Sequence, residues 1–269
     1  MIAPGQHEPR TGVLLPAYSL WLREMVRFYR QKARVVGVIL SPLLFWLVLG
    51  MGFGNSLRAA TPDQHQNYLE YFFPGALIMI VLFTSIFTMM SVIEDRREGF
   101  LLSVMVAPVH RSSIVLGKVL GGTTLAAIQG LIFLALAPLI GVRFDLLEFL
   151  MIVAVVFLVA FTLTSLGFAV AWKMDSTQAF HGIINFFLIP MWMLSGALFP
   201  LDGANRWVRA VMLANPLTYG VESLRLVMFP ATKSAFTLAS ALGILGAASA
   251  VVFGLAYLVA NQRSTKPAA

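Results

Sequence analysis

Apolar and polar positions along the chain fall into long alternating blocks, unlike the short mixed periods of a water-soluble domain. Six stretches carry no charged residue: 35–53, 72–92, 119–142, 149–171, 183–199 and 237–260. A hydrocarbon core about 30 Å thick is crossed by about 20 helical residues, because helix satisfies every backbone N–H and C=O within the segment. Each stretch is therefore expected to be a transmembrane helix, the fifth being the shortest. Pro42, Pro74, Pro138 and Pro190 lie inside them, where neighbouring helices can re-satisfy the backbone groups that proline frees.

Three segments between the stretches are patterned. Over residues 16–34, Trp21, Met25 and Phe28 recur at helical spacing, while Arg23, Arg27, Arg30 and Arg34 occupy another face. This predicts an interfacial helix, with aromatics in the acyl boundary and arginines at anionic headgroups; the plainer reading is a basic anchor before the first span. Segment 93–118 opens with Glu94, Asp95, Arg96, Arg97 and Glu98, turns apolar over 100–106, and halts at Pro108. It predicts a short amphipathic helix ending before the proline, exposed and inviting a partner, or else resting its apolar run on the membrane surface. Segment 200–229 has a turn at Pro200 and Asp202-Gly203, a stretch with Arg206 and Arg209, then Asn215-Pro216 and a helical pattern with Glu222 and Arg225 three apart. Each piece is too short or too charged to span, so re-entrant or interfacial helices are expected.

Composition supports the membrane reading. Of 269 residues, 59% are hydrophobic and 12% charged, and the mean hydropathy is +0.84; a soluble domain has about a quarter of its residues charged. The net charge of +7 would suit nucleic acid, yet the basic residues lie between apolar runs, where they act as orientation signals. About twice as many Lys and Arg fall on the side of the N-terminus and segment 93–118 as on the other, which places both termini in the cytoplasm. No cleavable signal peptide is expected, since the patch at 13–22 is short and interrupted by Pro16. Without cysteine there is no disulfide framework and no thiolate metal site.

Enzymatic chemistry finds little support. The single Gly-Lys, Gly117-Lys118, is followed by Val119 and lacks the phosphate-cradling Walker pattern. His7, His65, His110 and His181 are scattered and form no zinc pair. Ser195 lacks a nucleophile elbow and reads as a packing residue. The six stretches hold no Asp, Glu, Lys, Arg or His, and Asp145 and Glu148 sit at an edge, which argues against ion coupling. Thr84, Thr88 and Ser91 share a face of the second stretch, and the fourth carries Thr162, Thr164 and Ser165; such residues serve interhelical packing or line a polar path.

Two of these regions together resemble the permease subunits of ATP-binding-cassette type-2 exporters, a group that includes drug-resistance, nodulation-factor and polysaccharide export permeases. The matching residues are Glu98-Gly99 with Leu101-Leu102, Ala107-Pro108 and Leu116-Gly117-Lys118, and beyond them Pro190, Leu194-Ser195-Gly196, Phe199-Pro200, and Asn215 to Tyr219 followed by Arg225. Asp202-Gly203-Ala204-Asn205 departs from the family, which often has another proline there.

The resemblance implies an all-α integral membrane fold: residues 1–34 with the interfacial helix, a six-helix domain at 35–260 with a re-entrant outer hairpin after the fifth span, and a cytoplasmic tail at 261–269. It also implies a non-enzymatic half-transporter of a bacterial-type inner membrane, paired with a second permease and driven by a separate ATPase that holds the ATP and magnesium. Glu94, Arg97, Glu98, Gly99, Leu101, Leu102 and Pro108 would then belong to a coupling helix, and Trp21, Arg23, Arg27, Phe28 and Arg30 to a gate helix. Pro200, Asn215, Pro216, Tyr219, Glu222 and Arg225 would close the outer end. Thr84, Thr88, Ser91, Met191, Trp192 and Ser195 are the candidate substrate path; a lining of Met and aromatics suits amphiphilic or hydrophobic cargo. Polysaccharide or lipo-oligosaccharide export, a non-transport assembly role, and an intramembrane hydrolase using Ser195 are the alternatives.

Overall fold

The computed structural model describes residues 12–53, 68–230 and 234–262. The expected tail beyond 262, with His7, Arg10, Arg58, His65 and Lys233, lies outside them, as does the Arg34 side chain. The described residues are helical and hold no strand: α1 (Leu14–Arg30), α2 (Lys32–Gly52), α3 (Tyr68–Arg97), α4 (Phe100–Val106), α5 (Arg111–Leu134), α6 (Leu146–Trp172), α7 (Thr177–Trp192), α8 (Arg206–Ala214), α9 (Pro216–Met228) and α10 (Leu238–Asn261). Five helical runs among them are long and apolar enough to cross a membrane: Tyr68–Arg97, Arg111–Ile140, Leu146–Trp172, Thr177–Ala197 and Leu238–Asn261. α2 adds a shorter apolar run, Ile39–Gly52.

Several boundaries differ from the sequence expectation, each for a local reason. α3 runs on through Glu94–Arg97, so the mixed-charge start of segment 93–118 is helix and not loop: Asp95 and Glu94 are paired by arginines of α1 and Arg96 by carbonyls at the end of α6, while Arg97 stays exposed. α5 begins at Arg111, well before residue 119, directly after His110, which is still extended, and no proline follows before its end. Asp145 and Glu148, expected at headgroup level, form a reciprocal capping box at the start of α6, with Asp145 accepting from the Glu148 N–H at 2.7 Å. Thr237 and Ser240 do the same for α10. The fifth stretch is broken: α7 ends at Trp192 and passes into a wide turn, Met193–Ala197, in which Gly196 adopts φ 81, a left-handed conformation that costs other residues a Cβ clash.

α3 lies at the centre, with α2, α5, α6 and α7 packed around it and α10 outside α6. Its side chains are buried along almost the whole length, from Tyr68 to Asp95. α1 lies along α5, where Gly117 and Gly121 stand one turn apart. A Cβ at Gly117 would come within 2.7 Å of the Ala17 carbonyl oxygen, and one at Gly121 within 2.9 Å of Glu24 Cβ. Small residues thus let two helices meet closely enough for ion pairs to form between them.

Candidate functional site

Each end of α3 carries a buried cluster of charged side chains. About 36 Å separates them, taking the helical rise over Tyr71 to Asp95, which is enough to cross a hydrocarbon core.

At one end Asp95 is fully buried and serves as common acceptor. Arg23 of α1 donates to it through both terminal nitrogens, at 2.6 and 2.7 Å. Arg27 donates to the same carboxylate at 2.8 Å and to Glu94 at 2.5 Å. Lys118 of α5, 1% exposed, donates to Asp95, to Glu24 at 2.6 Å and to Ser91 Oγ at 3.1 Å. Three cations meet three carboxylates, so the charge that burial would otherwise penalise is balanced. The Asp95 hydrogen bonds raise the pKa of Arg23 above its ordinary value, so Arg23 stays charged at any working pH.

This arrangement revises the reading of α1. Arg23 and Arg27 point to α3 instead of to headgroups, Met25 and Phe28 pack with Leu125 of α5, and the Trp21 indole donates to Thr124 at 3.1 Å. Arg30 is exposed. The outward face of α1 is apolar instead, with Leu14, Leu15, Tyr18, Leu22, Val26 and Tyr29 exposed. α1 is therefore apolar on two faces, one against protein and one open.

α4 hangs below this cluster. Gly99, at φ 78, is its N-cap and turns the chain sharply out of α3. Leu101 is buried with Leu20 and Ile114, while Leu102 and Met105 are exposed and Val106 is 88% exposed. Arg97 and Glu98 are exposed beside them, and Pro108 follows the helix end. Arg96 ties the end of α3 to the loop after α6, donating to the carbonyls of Trp172 and Met174. The result is an apolar and charged surface held on a fixed platform.

At the other end α9 is almost wholly buried. Arg225, 4% exposed, donates to Glu222 and to the Gly196 carbonyl at 2.9 Å, and lies 4.3 Å from the Tyr71 ring. Tyr71 Oη donates to the same carbonyl at 3.0 Å, and Ser234 donates to Glu222 at 2.8 Å. Asn215 caps α9 by accepting from the Leu217 N–H, and its amide nitrogen donates to the carbonyls of Met191 and Leu194. Tyr219 donates to the Leu213 carbonyl at 2.7 Å. Pro200 is exposed and precedes the short turn Leu201–Gly203. Asn215 and Arg225 thus reach the wide turn through the carbonyls of Leu194 and Gly196, and Glu222 holds Arg225 there, while Tyr219 bonds back to α8.

The residues of the candidate path are placed differently. Thr84, Thr88, Ser91, Trp192 and Ser195 are buried inside this one chain, and Met191 is half-buried. Thr84 donates to Gln129 at 3.0 Å, Thr88 to the Ser85 carbonyl, Ser195 to the Trp192 carbonyl, and the Trp192 indole to the Gly75 carbonyl. Beside Trp192 lies a cavity of about 360 Å³ whose lining, including Phe45, Met79, Phe83, Ile189 and Met193, exposes no polar surface.

Sequence reasoning passed over Glu24, Asp95 as an acceptor, Tyr71 and the Gly117/Gly121 pair. Glu24 had a signal: it is an acid in line with Leu20 and Phe28 on an otherwise apolar stripe. Lys118 had one too, in the middle of the run Ile114–Leu120. Tyr71 gives none, since an aromatic at the head of a span is ordinary.

Comparison with known proteins places this architecture. Residues 17–229 match the family model for the ABC-2 type transporter, ABC2_membrane. A putative transport permease, ycf38, of Cyanophora paradoxa is 27% identical over 210 residues, covering 77% of this chain and 72% of its own. The probable doxorubicin resistance ABC transporter permease protein DrrC of Mycobacterium tuberculosis is 25% identical over 205 residues (76% and 73%). The daunorubicin resistance ABC transporter permease protein DrrB1 of Streptomyces coeruleorubidus is 24% identical over 238 residues (85% and 80%). A family match spanning both charge clusters and α4, on a multi-pass helical membrane fold, means that this chain belongs to the ABC-2 type transporter family, whose members are transport subunits and not themselves enzymes.

Proposed function

We propose that the chain is the permease subunit of an ABC exporter, driven by a separate ATPase that binds ATP and magnesium. The observation that carries this reading is α4: a short helix that buries Leu101 while presenting Leu102, Met105 and Val106 outward, on a platform fixed by the Asp95 cluster. Exposed apolar side chains between charged ones, at the end of a span, are suited to a groove in a protein partner. In this reading α2 is the first of six spans, α4 and both termini are cytoplasmic, α8 and α9 form the outer hairpin, α1 is the gate helix, and two permeases pair in a bacterial-type inner membrane.

Cargo is proposed to be drug-like or lipid-like. The wholly apolar cavity beside Trp192, with Met79 and Met193 in its wall, fits an apolar group of varied shape, and two of the relatives above are named for doxorubicin and daunorubicin resistance.

The test is co-purification in nanodiscs with ABC ATPase subunits of the same organism, followed by hydrolysis assays. Binding with stimulated hydrolysis supports the reading. Leu102→Glu and Val106→Glu, both at exposed positions, are expected to return hydrolysis to the level of the ATPase alone while the permease still inserts. Full stimulation by both variants would overturn the role of α4.

A further inference from the structure

Arg23 sits where three elements meet. Its terminal nitrogens hold Asp95 near the end of α3, and the carbon at its centre lies 3.7 Å from the centroid of the Phe100 ring, the first residue of α4. Beside it Leu20 of α1, Leu101 of α4 and Ile114 of α5 form a buried apolar cluster. α3 and α4 are joined only through Glu98 and Gly99, and a glycine joint resists bending poorly. α1 therefore grips α4 through contacts that do not depend on that joint.

We propose that Arg23 is a positioning residue that pins α4 to α1, so that the two move as one body and a displacement of α4 reaches α1 directly. The proposal rests on the reading of α4 as the ATPase-facing helix. Arginine suits the task because a flat guanidinium can donate two bonds in its plane and stack an aromatic ring on its face, which an ammonium cannot. Removing Arg23 still leaves Asp95 with Arg27 and Lys118, so the variant retains a paired cluster and is expected to fold.

The absence of cysteine allows unique spin labels at Ser19→Cys on α1, Ser103→Cys on α4 and Asn261→Cys at the end of α10, all exposed positions. Distances would be measured by double electron–electron resonance on the full chain in nanodiscs, alone and with its ATPase trapped by ATP and vanadate. In the chain alone, the distribution between positions 19 and 103 is expected to be narrow, and Arg23→Ala to broaden it to roughly twice that width. Phe100→Ala should broaden it with the ion cluster intact, and Arg23→Lys should fail to restore it. With the ATPase trapped, positions 19 and 103 should shift together relative to 261; in Arg23→Ala only 103 should shift. An unbroadened distribution in both Arg23→Ala and Phe100→Ala, or an α1 that still follows α4 in Arg23→Ala, would overturn the pin. A position 103 that never shifts on trapping would overturn the coupling reading instead, and the pin would then be decided by the 19-to-103 width alone.

Discussion

At the α1 end of the bundle Asp95 gathers cations from α1 and α5, which lie far from it in sequence, whereas at the hairpin end Arg225 pairs with Glu222 on its own helix and donates from its other terminal nitrogen to a backbone carbonyl. The first cluster fastens helices to one another. The second repairs a helix that has come apart, because the wide turn at Met193–Ala197 displaces carbonyls that no regular helix would leave free. Burying ions costs desolvation energy in both places. What that cost supports differs: a joint between elements in one case, a non-helical backbone inside the membrane protein in the other.

Removing a charge from each cluster should separate the two roles. Asp95→Ala strips the acceptor shared by three cations and should cost the most, about 3–5 kcal/mol, read from dodecyl sulfate titrations in mixed micelles; a smaller loss than that of the hairpin variant would break the comparison. Arg225→Met should cost about 3 kcal/mol, at the low end of that range, since Ser234 still reaches Glu222 and Tyr71 still reaches Gly196. Its hydrogen-exchange signature sharpens the contrast: α9 and residues 193–197 should lose protection while α1 keeps it. Gly117→Leu forces a side chain against the Ala17 backbone and should cost about 1–3 kcal/mol by overpacking, with protection lost in α1 alone. Thr84→Val, which deletes the uncharged Thr84–Gln129 bond at mid-span, should cost only about 0.6 kcal/mol. A loss as large as that at either end would mean that position along the span, and not charge, sets the energetics.

Much of the fold was legible because apolar length is a direct physical requirement of a bilayer. The short amphipathic helix after Gly99 was legible for the same kind of reason: its apolar run, a preceding glycine and a following proline are all local. The sharing of Asp95 was not. Glu94 to Arg97 read only as the mixed-charge opening of a segment after the apolar stretch, because nothing local shows that Arg23 and Lys118 lie within reach of Asp95. Likewise the arginines of α1 read as headgroup ligands, since a basic amphipathic helix gives the same pattern whether its cations meet lipid or carboxylate.

The sequence by itself determined that this chain is a bundle of membrane helices with an amphipathic helix before the first and a charged, apolar-tipped segment after the second, because each of these depends on residues within a few turns of one another. Its resemblance to a known family followed from motifs of the same local kind. Only the tertiary structure decided which charges are buried and with whom, that Gly117 and Gly121 admit α1 to α5, and that the fifth apolar stretch opens into a turn held by Arg225 and Tyr71. Those outcomes depend on distances between residues far apart in the chain, and in a low-dielectric interior such distances decide whether a charge is tolerated at all.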